Sequence, residues 1–262
     1  MPEWLSKSLM VLSKRDKIFG IVVGVWLIGA TAAVLALPPA EGLGYKARIL
    51  FFHIPMAWIA VLAFLMGAWW SVKCLRTKKL EQYYYSASSN YTGLVFCLLA
   101  TVSGAIYARL TWGAFWNWDV RQTTIFILLL IYVAYIVLGY AIEDEEKRAR
   151  ISAVYSLFSF VTVPFLVFII PRLNWSLHPN LLNSEGAETG VPNFSMDANM
   201  GMVLTGTLVG ITALYIWILR FAASWRRAGA VQDEAGYDEA GYDGAGYDQR
   251  DQKGQKEGDD QE

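Results

Sequence analysis

Two histidines occur in the chain, His53 in "RILFFHIPMAW" and His178 in "PRLNWSLHPN". Neutral imidazole is a good ligand for iron, so two of them approaching from opposite sides suit the two axial positions of a haem iron. Taken singly, each is open to a plainer reading as an interfacial or hydrogen-bonded residue near a helix end. Zinc fits poorly, because a zinc site takes three or four protein ligands. Neither histidine has a cysteine nearby or an acid at ligand spacing.

A second cluster lies between the histidines. Trp112 to Arg121 reads "WGAFWNWDVR", with three Trp, one Phe, one Asp and one Arg in ten residues. If Trp112–Asp119 is helical, then Trp112, Phe115, Trp116 and Asp119 recur at i, i+3, i+4 and i+7 and share a face. Gly113 and Ala114 keep the adjoining surface low. The result is an apolar plate with a carboxylate at its edge, which matches a porphyrin: flat, mostly apolar, with propionates on one edge. A second reading stays open, since Trp and Tyr gather at membrane interfaces in any case. Arg121 and Arg48 are cations that could pair with Asp119 or with a propionate, or could contact lipid phosphate.

These residues need elements to hold them, and the elements are membrane spans. The chain has 262 residues, 55% hydrophobic and 15% aromatic, and its mean hydropathy is above zero. A spanning helix takes roughly 20 mostly apolar residues. Such runs occur at Ile18–Leu37, Ile49–Ser71, Tyr91–Leu110, Thr123–Ile142, Ile151–Ile170 and Met200–Leu219. Hydrocarbon offers no hydrogen-bond partner, so each run must be a helix. Pro38–Pro39 is expected to close the first run and Pro171 the fifth. The first run is longer than a signal-peptide core and reads as a retained anchor. The fold class is all-α: a polytopic membrane protein of six transmembrane helices.

Orientation follows from Lys and Arg in the connections. Close to the spans, the N-terminus and the segments after runs two, four and six hold 14 of them, against 5 in the alternate connections. Both termini are therefore expected in the cytoplasm. Residues 1–17 form a cytoplasmic N-terminus, 18–219 the membrane domain and 220–262 a cytoplasmic tail. That arrangement puts His53, His178 and 112–121 together at the outer face. The tail repeats a unit ending in Gly-Tyr-Asp three times between Glu234 and Asp248. Being rich in Gly and acid and poor in branched apolar residues, it is expected to be disordered.

Some chemistry is excluded. Cys74 and Cys97 lie at different depths and form no Cys-x-x-Cys, so thiol exchange and covalent haem attachment have no motif. No G-x-x-x-x-G-K-[ST] is present, so any ATP use falls to a partner. The net charge of −1 and the lack of a basic cluster give no sign of nucleic-acid binding. A b-type cytochrome passing electrons across the bilayer would call for about four histidines at two depths, and the chain has two.

"WGAFWNWDVRQT" resembles the tryptophan-rich WWD motif, Trp-Gly-x-x-Trp-x-Trp-Asp, of the haem-handling proteins of cytochrome c biogenesis. Larger synthetase-type members usually continue with Asp-Pro. This chain continues with Val120–Arg121–Gln122–Thr123, which is similar to the smaller haem exporter protein C family. "RILFFHIPMAW" and "WSLHP" also look like that family's histidine-bearing segments, over a resemblance running from Ile18 to roughly Leu219. It implies a haem-binding and delivery protein of the bacterial cytoplasmic membrane, not an enzyme, carrying b-type haem non-covalently and transiently. By position His53 and His178 become the axial ligands. Trp112, Gly113, Trp116, Trp118 and Asp119 become the haem-holding motif, with Arg121 and Arg48 beside them. The partners so implied are a membrane-tethered haem chaperone, an ABC transporter (two ATPases and one membrane subunit) and a small single-span accessory protein. The alternatives are the b-type cytochrome and the larger haem–apocytochrome synthetase.

Overall fold

A computed structural model describes residues 12–178 and 196–256, with side chains to Gly229. Lys7, Pro179 and Asn180 lie outside the described residues. Six helices follow in order: α1 (Lys14–Ala36), α2 (Leu50–Thr77, entered through the 3-10 turn Tyr45–Ile49), α3 (Leu80–Trp112), α4 (Val120–Tyr140), α5 (Glu145–Leu173) and α6 (Ala198–Lys256). Each carries an apolar stretch long enough to cross a bilayer. There is no β-strand among the described residues, only an isolated bridge between Ala40 and Gly44.

The starts are written in capping residues. Ser13, Asp119 and Asp144 each accept a backbone N–H from the first turn of α1, α4 and α5, filling acceptor positions that a helix start leaves open. α1 stops before Pro38–Pro39, as expected. Pro171 does not stop α5 at once. The helix widens into a π-helical turn over Phe165–Ile169 and makes one further turn to Leu173, with Pro171 at the head of that turn. A proline is tolerated there because its missing N–H has no partner to lose.

α3 begins at Leu80, eleven residues ahead of the expected Tyr91. Hydropathy misses this stretch because its inward face is polar. Ser86, Ser88, Ser89 and Asn90 are all buried. Ser86 pairs with Ser71 at 2.7 Å and Ser89 with Tyr215 at 2.7 Å, and the Asn90 amide donates to Ser156 at 2.8 Å. Small hydrogen-bonding residues are what let membrane helices approach closely.

α2 and α3 form the central hairpin, joined by Lys78 in the left-handed conformation (φ 55°). α5 and α6 pack on this pair, α4 bridges α3 and α5, and α1 lies on α6. Reciprocal stitches hold α1: the Trp26 indole donates to Gly206 O at 2.9 Å and the Trp217 indole to Asp16 O at 3.0 Å. The middle of the core stacks Phe64 on Tyr132, ring centres 3.5 Å apart. α6 continues as helix through the Gly-Tyr-Asp units to Lys256, whereas composition leads one to expect an unfolded extension. Each unit holds an Ala and two of the three a Glu, good helix formers, and they extend a helix already nucleated by its apolar span.

Close approach at Gly93 yields a stability prediction. A Cβ there would lie 2.7 Å from the Phe64 ring and 3.1 Å from Ala63 Cβ. Phe64 is fully buried and stacked, so it cannot yield. Gly93→Ala should destabilise by about 1–3 kcal/mol, seen as a lower Tm in detergent. Gly24→Ala, where a Cβ meets nothing within 4 Å, should change it little.

Candidate functional site

The two histidines meet. His53 stands in the first turn of α2 and His178 five residues beyond the end of α5, yet their ring centres are 6.3 Å apart with planes inclined at 50°. Two imidazoles on opposite faces of one metal, with bonds of about 2 Å and ring centres about 1 Å further out, would stand about 6 Å apart. The observed spacing fits a single metal held between them.

Each ring is supported differently. His53 Nδ1 lies 3.0 Å from Ala100 O and 3.1 Å from Ser103 Oγ on α3. With Nδ1–H donating to the carbonyl, the tautomer leaves Nε2 unprotonated, which is how a metal-ligating histidine is usually oriented. Gly104 makes room: a Cβ there would sit 2.9 Å from the His53 ring. His178 rests with its ring centre 5.7 Å from that of Trp112. Burial, then the positive charge of Arg121, lowers its pKa from 6.5 to about 4. Its ring is therefore neutral at pH 7, the form that binds metal.

Between the histidines lies a cavity of about 150 Å³. Trp112, Trp116, Arg121 and Gln122 line it, with apolar residues such as Ala100, Gly104, Leu166 and Pro171 among the rest. Pockets that swallow a whole ligand run from about 300 to 1,000 Å³. This one has room for the centre of a broad flat molecule, not its periphery.

The aromatic segment is not the helical plate that the spacing suggests. α3 ends at Trp112, Gly113 caps it in the left-handed conformation (φ 85°), and 113–119 run as an irregular connection to α4. The physical reason is local. Glycine favours a left-handed cap, Asp119 caps the next helix, and Gln122 folds back to bond Asn117 N and Phe115 O. Trp116 packs edge-on against Phe126 and Trp118, with ring centres 6.1 and 5.9 Å away. Trp118 has φ 54°, a conformation costing a bulky L-residue roughly 1–2 kcal/mol. It is also 77% exposed. Strained backbone of this kind clusters at functional sites and ligand clamps.

Asp119 is 7% exposed and does not line the cavity. Its Oδ1 accepts from Arg121 N at 2.8 Å and from Ser176 Oγ at 3.0 Å, and its Oδ2 accepts from Leu177 N at 2.7 Å. Arg48 also stands apart from the cavity: its guanidinium donates to Leu37 O at 2.6 Å and covers the Tyr45 ring. So the fold joins His53, His178, Trp112, Trp116 and Arg121 around one space and leaves Gly113, Trp118, Asp119 and Arg48 outside it.

The family model described as heme exporter protein C matches residues 5–232. The chain belongs to the haem exporter protein C family. Among its relatives is the heme exporter protein C of Bradyrhizobium diazoefficiens, 26% identical over 199 residues, covering 73% of each chain. A ccmC-like mitochondrial protein of cytochrome c biosynthesis from Marchantia polymorpha is 28% identical over 170 residues, 63% of this chain and 72% of its own. The Escherichia coli K12 heme exporter protein C is 29% identical over 170 residues, 58% of this chain and 66% of its own. Membership in the haem exporter protein C family, with six apolar helices, makes this a multi-pass membrane protein with a role in haem handling for cytochrome c maturation.

Sequence reading missed Ser103, Gly104, Gln122 and Ser176. Only Ser176 carried a signal, its place two residues before His178. Ser103 and Gly104 act through contacts made across helices, which no local pattern encodes, and Gln122 acts on the irregular connection just before its own helix. Gly104 supplies the test of the His53 geometry. Because the chain has two histidines, ¹⁵N spectra of ring-labelled protein resolve each one. His53 should appear as the Nδ1–H tautomer, and Gly104→Val should shift its ring signals. Unshifted signals would contradict the close approach.

Proposed function

We propose that this protein holds b-type haem non-covalently at the outer face of the bacterial cytoplasmic membrane and hands it to a membrane-tethered haem chaperone. His53 and His178 act as the axial ligands. Trp112 and Trp116 contact the ring, and Arg121 offers a guanidinium to a propionate. The single observation that carries the reading is the 6.3 Å spacing of two imidazoles supplied by separate segments. Two histidines alone make no zinc site, and no group of three metal-ligating side chains occurs among the described residues.

Sidedness rests on the distribution of Lys and Arg, which sets both termini in the cytoplasm. The tail, residues 220–262, is then a cytoplasmic acidic extension that continues α6 as helix to Lys256. Lacking a nucleotide motif, the chain works with an ABC transporter of two ATPases and one membrane subunit, and with a small single-span accessory protein. Its own part is binding and delivery, without bond chemistry on the haem. The small cavity suits that part, since it grips the iron and leaves the ring edge for a receiver to reach.

The purified protein should show a low-spin Soret spectrum at less than one haem per chain. His53→Ala and His178→Ala should each convert it toward high spin and lower transfer to the chaperone. Two variants that load the chaperone like wild type would defeat the ligand assignment, and absence of any Soret band with ample haem would defeat haem binding itself. The two tryptophans should separate. Trp116→Ala, inside the cavity, should loosen haem by about tenfold, given a loss of one ring contact worth 0.5–1.5 kcal/mol or more. Trp118→Ala, exposed, should keep haem and slow handover. The reverse pattern would mean that Trp118 holds the cargo.

A further inference from the structure

The WWD aspartate reads, by analogy with its motif, as part of the haem-holding surface. The geometry points to something else: we infer that Asp119 is a positioning residue that fastens the segment bearing His178 to the start of α4. The spectroscopic part of this inference rests on the proposed role of His178 as a haem ligand; the geometric part does not.

Three observations carry it. Asp119 is buried and absent from the cavity wall. Its two oxygens are engaged by three donors, of which two, Ser176 Oγ and Leu177 N, belong to the segment after α5. The Ser176 hydroxyl, while donating to Asp119, accepts from His178 N at 3.1 Å. One carboxylate thus grips three consecutive residues, directly or through one hydroxyl, and the third is the ligand. His178 lies beyond the end of α5, where the described residues 174–178 are not helical, whereas His53 is fixed within a long helix. A side chain on such a stretch has no ladder of backbone bonds to hold it, so its position depends on clamps of this kind.

The turn before Asp119 is shaped for the purpose. Trp118 takes the left-handed conformation, and Gln122 ties the turn back through Asn117 and Phe115. Trp118 stays exposed while its neighbour Asp119 turns inward to meet Ser176 and Leu177. Metal-ligating imidazoles are commonly oriented by a carboxylate bound to the ring itself. Here the carboxylate acts on the backbone that carries the ring.

Two variants test this in the full chain in detergent. Asp119→Asn keeps an acceptor for the helix start, since Asn caps as well as Asp, but loses one of the two oxygens that the latch uses. Ser176→Ala leaves the cap untouched and removes only the bridge. In haem-free protein the Leu177 and His178 amides should exchange about tenfold faster or more in Asp119→Asn, as expected for a lost charge-assisted bond. Ser176→Ala should act in the same direction on His178. After haemin loading, Asp119→Asn should show more high-spin haem, and added imidazole should restore the low-spin spectrum, because the ring contacts survive and only the ligand is displaced. Unchanged amide exchange in both variants overturns the inference. So does a high-spin spectrum that imidazole cannot rescue, which would mean that Asp119 touches the cargo directly. His178→Ala is the separating control: if it stays low-spin the ligand reading falls, while the exchange data still decide the latch.

Discussion

Hydrocarbon cannot hydrogen-bond, and each backbone polar group left without a partner there costs several kcal/mol. That constraint shapes the whole chain. Six helices occupy the apolar depth, one of them with a single π turn, and among the described residues the backbone that is not helical lies before, between or after them. The two histidine-bearing segments and the tryptophan-rich connection are at one end of the bundle. A site that needs an odd turn, such as the one at Trp118, can exist only where water, headgroups or the protein's own side chains satisfy its amides. Gln122 and Asp119 supply that satisfaction from within.

The same constraint explains the polar residues buried in the bundle. Ser71, Ser86, Ser89, Asn90 and Ser156 are joined by hydrogen bonds that cross between α2, α3, α5 and α6. They draw the helices close, and glycines at 67, 93 and 104 accept the neighbouring side chains. At Gly67 the neighbour is Asn90 and at Gly93 it is Phe64. At Gly104 it is His53, the proposed ligand. The packing rule that builds the core is therefore also the rule that seats one of the two imidazoles.

The fold was largely legible in the residue order because bilayer-length apolar runs have few alternatives. The beginning of α3 was not, since a serine-rich face looks exposed until its partners on α2 and α5 are known. The site was half legible. The residue types at 53, 178 and 112–121 pointed to a flat iron-bearing ligand, and the fold brings the two rings together. The periodicity argument for a helical plate failed at Gly113, whose left-handed cap outweighs the i, i+3, i+4 pattern of the aromatics around it. The role of Asp119 was invisible, because its partners lie 57 and 58 residues away.

The two imidazoles are held by unequal means, and the inequality suits the proposed role of taking cargo and giving it up. His53 belongs to a 28-residue helix and is bonded to the neighbouring helix at Ala100; moving it means moving the core. His178 depends on a stretch without secondary structure and on a few hydrogen bonds to a single carboxylate. Those bonds can be broken without disturbing any helix. On the proposed reading, release follows the weaker attachment: a receiver that pulls on the segment after α5, or competes for Asp119, frees one face of the iron while the other stays bound. A site with both ligands on rigid helices would bind more tightly and deliver less.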